Sequence, residues 1–214
     1  SLFRDPDFTL PNLSMACIYL AFFMLYLVGP FYFEGALGMD PLGVGLVFLV
    51  IPIIVIVGSP VAGIIYDRWN VRVLPAWGIG LSGVSLFLLG FAVVARDITM
   101  ILLLLVPLSM GISFFLAPNS TEIMRSLPLE QSSLASSMSA TLKNLGTIAG
   151  VSLSAIILSL DLSAHGYAGS LQDVDPALLA LTIQKILVIS AALCMVGALF
   201  SLAKDIRQRT PGPE

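Results

Sequence analysis

The chain is poor in charged residues. Only 11% of its 214 residues are Asp, Glu, Lys or Arg, whereas 57% are hydrophobic and the mean hydropathy is +1.00. A soluble domain of this length carries roughly a quarter charged residues. The shortage of polar groups excludes a water-soluble globule and predicts a surface that faces lipid. The net charge of −3 likewise excludes the basic surface of a nucleic-acid-binding protein.

The residues that form metal sites and catalytic centres are scarce as well. The two cysteines, Cys17 and Cys194, lie in apolar runs, and His165 is the only histidine, so the sequence predicts neither a disulfide framework nor a metal site. No glycine-rich phosphate loop ending in Lys-Ser or Lys-Thr is present. We therefore predict that the chain is not an enzyme, holds no cofactor and does not itself use ATP.

Six long apolar runs are present. A hydrocarbon core of ~30 Å is crossed by ~20 helical residues, and barrel strands would show short alternating segments instead. The sequence therefore predicts an all-α membrane protein, a single six-helix transmembrane domain over residues 1–214. The predicted spans are 14–36, 42–66, 73–95, 98–124, 132–160 and 178–203.

The basic residues are distributed unevenly between the two sets of loops. One set, with both termini, holds seven: Arg4, Arg68, Arg72, Arg125, Lys204, Arg207 and Arg209. The opposite set holds only Arg96. Since basic loops stay on the inner side of the membrane, we predict a multi-pass protein of the inner or plasma membrane with both termini in the cytoplasm.

Lys143 and Asn144 are unusual because they fall well inside the fifth span. A charged group at that depth is costly unless it faces a partner or water. Serines and threonines on the same helix form a polar stripe, which indicates contact with other helices or a wet cavity. Lys143 is therefore a candidate functional residue; the alternatives are snorkelling to the cytoplasmic interface and a structural hydrogen-bond anchor.

Aromatic and soft side chains crowd the first span. The best candidates for a ligand cavity among them are Phe22, Phe23, Met24 and Tyr26, because aromatic rings stack on bulky or cationic ligands. Lipid-facing bulk is the alternative. Asn119, beside Pro118, is either a cavity group or a cap for a kinked helix.

The loop between the second and third spans carries a motif, Gly63-Ile64-Ile65-Tyr66-Asp67-Arg68-Trp69-Asn70-Val71-Arg72. It resembles the Gly-x-x-x-Asp-Arg-x-Gly-Arg-Arg signature of the major facilitator superfamily, with Asn70 where the family usually has glycine and Val71 where it has a basic residue. Residues 2–8, 37–45, 58–63, 117–119 and 134–146 resemble the carboxy-terminal half of EmrB/QacA-type drug:proton antiporters. There the family often has Arg-Gln in place of Lys143-Asn144.

The resemblance implies two six-helix halves, each an inverted three-plus-three repeat, that rock about a central site. It places the first and fourth spans at the cavity, and with them Tyr26 and Asn119. The candidate substrate residues are then Phe22, Tyr26, Asn119, Lys143 and Asn144. It also implies a conformational latch of Gly63, Asp67, Arg68 and Arg72, in which Arg68 or Arg72 pairs with the other half.

We therefore hypothesise a transport domain that moves amphipathic or cationic drug-like solutes outward, as half of a proton-coupled antiporter. A second six-helix half, from the same chain or from another copy in a homodimer, would close the cavity. The first residue is Ser1, which suggests a fragment or a tag remnant. No carboxylate lies in the middle of a span, so a coupling acid is expected on another segment. The alternatives are an importer of an organic anion and a membrane scaffold without transport activity.

Overall fold

The structure, a computed structural model, describes residues 5–69, 71–126, 128, 132–167 and 174–209, with residues 208 and 209 as backbone only. Within these ranges the prediction of six long apolar helices is confirmed. The helices are α1 (Pro6–Phe31), continued by a short π-helix (Tyr32–Ala36), α2 (Pro41–Trp69), α3 (Leu74–Ala95), α4 (Ile98–Arg125), α5 (Ser132–Ala164) and α6 (Pro176–Arg209). Each is long and apolar enough to cross a bilayer.

Polar capping residues and prolines determine where the helices begin and end, and some helices extend beyond the apolar runs. Helix α1 begins at Pro6, not near residue 14, because the Asp5 carboxylate accepts the backbone N–H of Asp7 at 3.0 Å and proline suits the first helical position. At the turn between α3 and α4, Arg96 adopts a left-handed conformation and Asp97 caps the next helix through Met100 N at 3.1 Å. Hydropathy alone does not detect these polar ends.

The helices pack in a series rather than around one axis. Helix α1 packs against α5 and α6, helix α4 packs against α2 and α3, and α3 packs against α6. The same set of contacts results when α1, α2 and α3 are exchanged with α4, α5 and α6, respectively. Consecutive spans cross the membrane in opposite directions, so each helix also runs opposite to its counterpart three positions later. This is the relation that an inverted three-plus-three repeat requires.

The series α5–α1–α6–α3–α4–α2 curls so that α1 also touches α4. Helices α3 and α6 close the back, and α2 and α5, its two ends, are the least buried helices. We call the surface between α2 and α5, lined by α1 and α4, the open face. It is the side of this bundle that another body could cover.

Small residues allow the closest helix contacts. A Cβ at Gly146 would lie 2.7 Å from the Ala16 carbonyl oxygen of α1, and one at Gly150 would overlap the Leu20 carbonyl. At Gly63, by contrast, a Cβ would meet nothing within 4 Å. The glycines of α5 are therefore needed for packing on α1, whereas Gly63 borders open space.

Candidate functional site

Aromatic rings of α1 form a row along the open face. The centroids of Phe22 and Tyr26 lie 4.6 Å apart, and Tyr19 stacks on Phe23 with centroids 6.3 Å apart. Tyr26 continues the row to Phe48 of α2, with centroids 5.4 Å apart. We call Tyr19, Phe22, Phe23, Tyr26 and Phe48 the aromatic row. All five are half-buried, so they present ring surface that a solute could contact.

A cavity of about 190 Å³ lies between α1 and α4 at this row. Its lining is Ile18, Tyr19, Phe22, Phe23, Ile112 and Leu116. Of the predicted cavity residues, Phe22 thus lines it directly and Tyr26 contacts Phe22. Met24 points the other way: it is fully buried, and its sulfur accepts a hydrogen bond from Ser190 of α6 at 3.4 Å.

Lys143 of α5 lies against the aromatic row. Its Nζ sits 5.7 Å from the centroid of the Tyr19 ring, within the range of a cation–π interaction. The backbone of α1 can approach α5 closely at Tyr19 because Gly146, one turn after Lys143, has no side chain; a Cβ there would lie 3.3 Å from the Tyr19 Cβ. Asn144 is exposed beside Lys143. The structure therefore brings Lys143 to Tyr19, which belongs to the same aromatic row as Phe22 and Tyr26.

Asn119 has a different place among the predicted residues. It is fully buried, and its Nδ2 donates to the Pro11 carbonyl of α1 at 3.1 Å, while its Oδ1 has no hydrogen-bond partner in the described part of the chain. A second link at this level joins α1 to α5, where the Ser139 hydroxyl donates to Asn12 Oδ1 at 2.8 Å. These side chains fix α1 against α4 and α5.

The predicted latch residues lie at and just beyond the carboxy-terminal end of α2. Asp67 forms an exposed ion pair with Arg125 of α4, at 3.4 Å. Arg68 and Arg72 are exposed, and neither forms an ion pair with any residue that the structure describes. The pairing of Arg68 or Arg72 with another half stays a prediction.

Beside the latch lies a buried ion pair that the sequence analysis did not identify. Lys204 Nζ of α6 and Glu122 Oε2 of α4 are 2.6 Å apart, and both side chains are 8% exposed. The Tyr66 hydroxyl of α2 donates to Glu122 Oε1 at 2.9 Å. Lys204 was counted among the seven basic residues of the loops and termini, and the structure places it inside α6 with its side chain buried in the bundle. Only the proximity of α4 and α6 reveals the pair, although Glu122 in an apolar span was a signal.

A further pair lies at the other end of the bundle. Lys185 Nζ of α6 contacts Asp161 of α5 at 2.7 and 2.9 Å, and the Thr182 hydroxyl donates to the same carboxylate at 2.6 Å. Lys185 is therefore part of an α5–α6 link and lies away from the open face. Arg4 and the side chain of Arg209, two of the seven basic residues, lie outside the described residues.

Comparison with known proteins identifies relatives that match between 70% and 94% of this chain. Residues 1–151 match the sequence model of the Major Facilitator Superfamily. The riboflavin transporter RibZ of Clostridioides difficile is 29% identical over 153 residues, which cover 70% of this chain and 33% of that protein. The multidrug resistance protein Stp of Mycobacterium tuberculosis is 25% identical over 164 residues, or 77% of this chain and 30% of that protein.

The lincomycin resistance protein LmrB of Listeria monocytogenes is similar over a longer region. It is 26% identical over 208 residues, which cover 94% of this chain and 43% of that protein. The matched region of this chain thus spans between 30% and 43% of the length of these relatives.

Proposed function

Because this chain belongs to the Major Facilitator Superfamily, a family of transporters and not of enzymes, we propose that it is one half of a proton-coupled efflux antiporter for amphipathic solutes. Within the family we assign it to the carboxy-terminal half of an EmrB/QacA-type protein. Transport proceeds by alternating access, in which two six-helix halves rock about the solute. Both ends of the chain lie in the cytoplasm, and the membrane is the inner or plasma membrane.

The aromatic row on the open face is the observation that carries this proposal. A half-buried series of rings, with a cavity of about 190 Å³ beside it, offers a large apolar contact area to a bulky solute. The Phe22 and Tyr26 ring centroids are 4.6 Å apart in an edge-to-face arrangement, which leaves ring faces that a further aromatic ring can contact. The back of the bundle, closed by α3 and α6, has a larger hollow of about 450 Å³, but its contacting rings are the single pair Phe87 and Phe91, with centroids 5.1 Å apart, among the described residues.

The names of the relatives support transport of organic solutes and favour efflux. Two are named for resistance, to several drugs in one case and to lincomycin in the other, and one is named for riboflavin. Resistance by a membrane transporter requires outward movement of the drug. We infer the outward direction for this chain from that similarity and from the motif series in its sequence.

Proton coupling requires a group that binds and releases a proton during the cycle. The lining of the cavity contains no carboxylate, and the buried Glu122 is held by Lys204. We therefore place the coupling acid on a segment outside the described residues, in the second half of the transporter.

The second half covers the open face. It is either another part of a longer polypeptide or a second copy of this chain in a homodimer. Gly63, which borders open space, and the exposed Arg68 and Arg72 lie at the latch, where the second half would approach. In this arrangement Asp67 keeps its pair with Arg125, and Arg68 or Arg72 forms the contact between halves.

Flux measured in proteoliposomes tests the proposal. The chain, with its second half or at a density that allows dimers, should export a fluorescent lipophilic dye when the pH gradient is set for antiport, and not when it is reversed. Replacing Tyr26 with alanine should slow export several-fold, because ring contacts contribute about 0.5–1.5 kcal/mol each. Replacing Phe91, an exposed aromatic on α3 at the back, provides the matched control and should leave the rate unchanged.

Three results would contradict the proposal. Flux that responds to the gradient with the opposite sign would indicate import, the behaviour expected of the organic-anion alternative. Absence of any solute-dependent flux would indicate a scaffold. Transport by a chain that crosslinking in membranes shows to be strictly monomeric would refute the need for a second half.

A further inference from the structure

We propose that the open face selects planar aromatic solutes that carry a negative charge, with Lys143 binding the charge and Tyr19 positioning the lysine. The inference rests on the proposed function, because it assumes that the aromatic row contacts the solute. It narrows the solute class from amphipathic compounds in general to aromatic acids.

Lys143 is the one lysine whose charge is left for a ligand. The sequence contains three lysines. Lys185 forms an ion pair with Asp161 at 2.7 Å, and Lys204 forms one with Glu122 at 2.6 Å. The charges of both lysines are therefore already paired within this chain. Within the part of the chain that the structure describes, Lys143 forms no ion pair and instead lies over the Tyr19 ring.

The position of Lys143 makes an unpaired ammonium costly without a ligand. It lies 11 residues after the start of α5 at Ser132, about 16 Å along the helix, and is half-buried. An ionisable group at such depth normally faces a cavity and binds a partner there. A ring face satisfies the ammonium only in part, since a cation–π contact replaces a fraction of its hydration. A carboxylate on the solute would give the ammonium the negatively charged partner that it lacks among the described residues.

The rest of the site fits the aromatic part of such a solute. Tyr19 is shared: its ring contacts the Lys143 ammonium at 5.7 Å and also lines the cavity with Phe22 and Phe23. A ring system lying in this cavity would therefore hold an attached carboxylate within reach of the ammonium. One solute thus engages both the aromatic row and the positive charge.

A cation at the same place would be disfavoured. Two unit charges of the same sign about 7 Å apart repel each other enough, at the effective dielectric of a partly buried site, to weaken binding by more than about tenfold. The cavity lining contains no acidic side chain to offset this repulsion. The open face should therefore bind an aromatic anion at least about tenfold more tightly than the matched cation.

The test compares three probes that share one ring system: 2-naphthoate, neutral 2-naphthamide and 2-naphthylmethylammonium. Their dissociation constants are measured by equilibrium dialysis against the chain in nanodiscs of uncharged phosphatidylcholine, with empty nanodiscs correcting for partition into lipid. We expect the naphthoate to bind tightest and the ammonium weakest. This comparison uses the unaltered chain and needs no variant to fold.

Variants then assign the preference to Lys143. K143Q should bring the affinities of the anion and the cation to within about twofold of each other, and K143R should preserve the preference. K185Q, which removes the paired lysine away from the open face, is the matched control and should leave the ratio unchanged. Y19F should retain the preference and Y19L should reduce it, because the first keeps the ring under the ammonium and the second removes it.

The outcomes separate the two hypotheses. If all three probes bind but the anion is not favoured, or K143Q leaves the ratio unchanged, the charge selection is refuted while the proposed solute face stands. If none of the probes binds above the empty-nanodisc level, the aromatic row is not a solute face, and both the inference and the proposed function fail.

Discussion

Replacing Lys204 with glutamine should destabilise the bundle more than any other single change of a charged residue. Lys204 and Glu122 are 2.6 Å apart and each is 8% exposed. Without the ammonium, the Glu122 carboxylate stays buried with only the Tyr66 hydroxyl as a partner, at 2.9 Å. Removing one member of a buried pair typically costs about 3–5 kcal/mol, because the other charge is left uncompensated. We therefore expect Lys204→Gln to lower the free energy of unfolding by about 3–5 kcal/mol.

The double substitution distinguishes lost attraction from uncompensated charge. When Glu122→Gln is combined with Lys204→Gln, neither buried charge remains, and the amide that replaces the Glu122 carboxylate can still accept the hydrogen bond from Tyr66. The double variant should therefore be more stable than either single variant, with a coupling energy of about 1–3 kcal/mol.

Thermal unfolding of the purified chain in detergent, followed by tryptophan fluorescence, measures these effects. A loss of 3–5 kcal/mol corresponds to a fall in Tm of roughly 6–20 °C for a domain of this size. A Lys204→Gln variant within about 1 °C of the unaltered chain would show that water reaches this pair. Single and double variants with strictly additive losses would show that the two side chains do not interact.

Three further predictions concern packing, the other ion pair and orientation. Gly150→Ala should lower stability by about 1–3 kcal/mol, because its methyl group would overlap the backbone of α1, whereas Gly63→Ala should be neutral within about 0.5 kcal/mol in the same unfolding assay. Asp161→Asn should lower the free energy of unfolding by less than about 1 kcal/mol, because its partner Lys185 is 54% exposed. High salt should reduce this difference further. A loss as large as that expected for Lys204→Gln would contradict the prediction. Trp69→Cys should react with an impermeant maleimide only from the cytoplasmic side, and labelling from the outside would overturn the orientation.

The sequence predicted the helical elements because their cause is local. Twenty or so apolar residues in a row satisfy their backbone hydrogen bonds in lipid only as a helix, so each span could be read without knowing its neighbours. The helix ends were less accurate, as α1 shows: its start at Pro6 depends on a polar cap that hydropathy does not register. The motif around Asp67 and Arg68 led to the family for the same reason, since the residues are contiguous in the chain.

The pairing of side chains from different helices could not be predicted in this way. Phe22 and Tyr26 were identified because aromatic side chains crowd the first span, which is a feature of the local sequence. Asn119 was predicted either as a cavity group or as a cap for a kinked helix, and only the contact between α4 and α1 showed that its Nδ2 donates to the Pro11 carbonyl. Lys204 was predicted only as a basic residue at one end of the bundle, and its burial in a pair with Glu122 depends on the approach of its side chain to α4.

The sequence by itself thus determined that this chain is a six-helix membrane protein with basic residues concentrated at one end, since hydrophobicity and charge act along the chain. Only the tertiary structure decided which polar side chains are paired and which one lies on the open face without an ion pair among the described residues. Ion pairs and ring contacts fall off within a few ångströms, so they depend on the rotation and depth of each packed helix. For Lys143, that packing placed its ammonium over the Tyr19 ring and away from the carboxylates that hold the other two lysines.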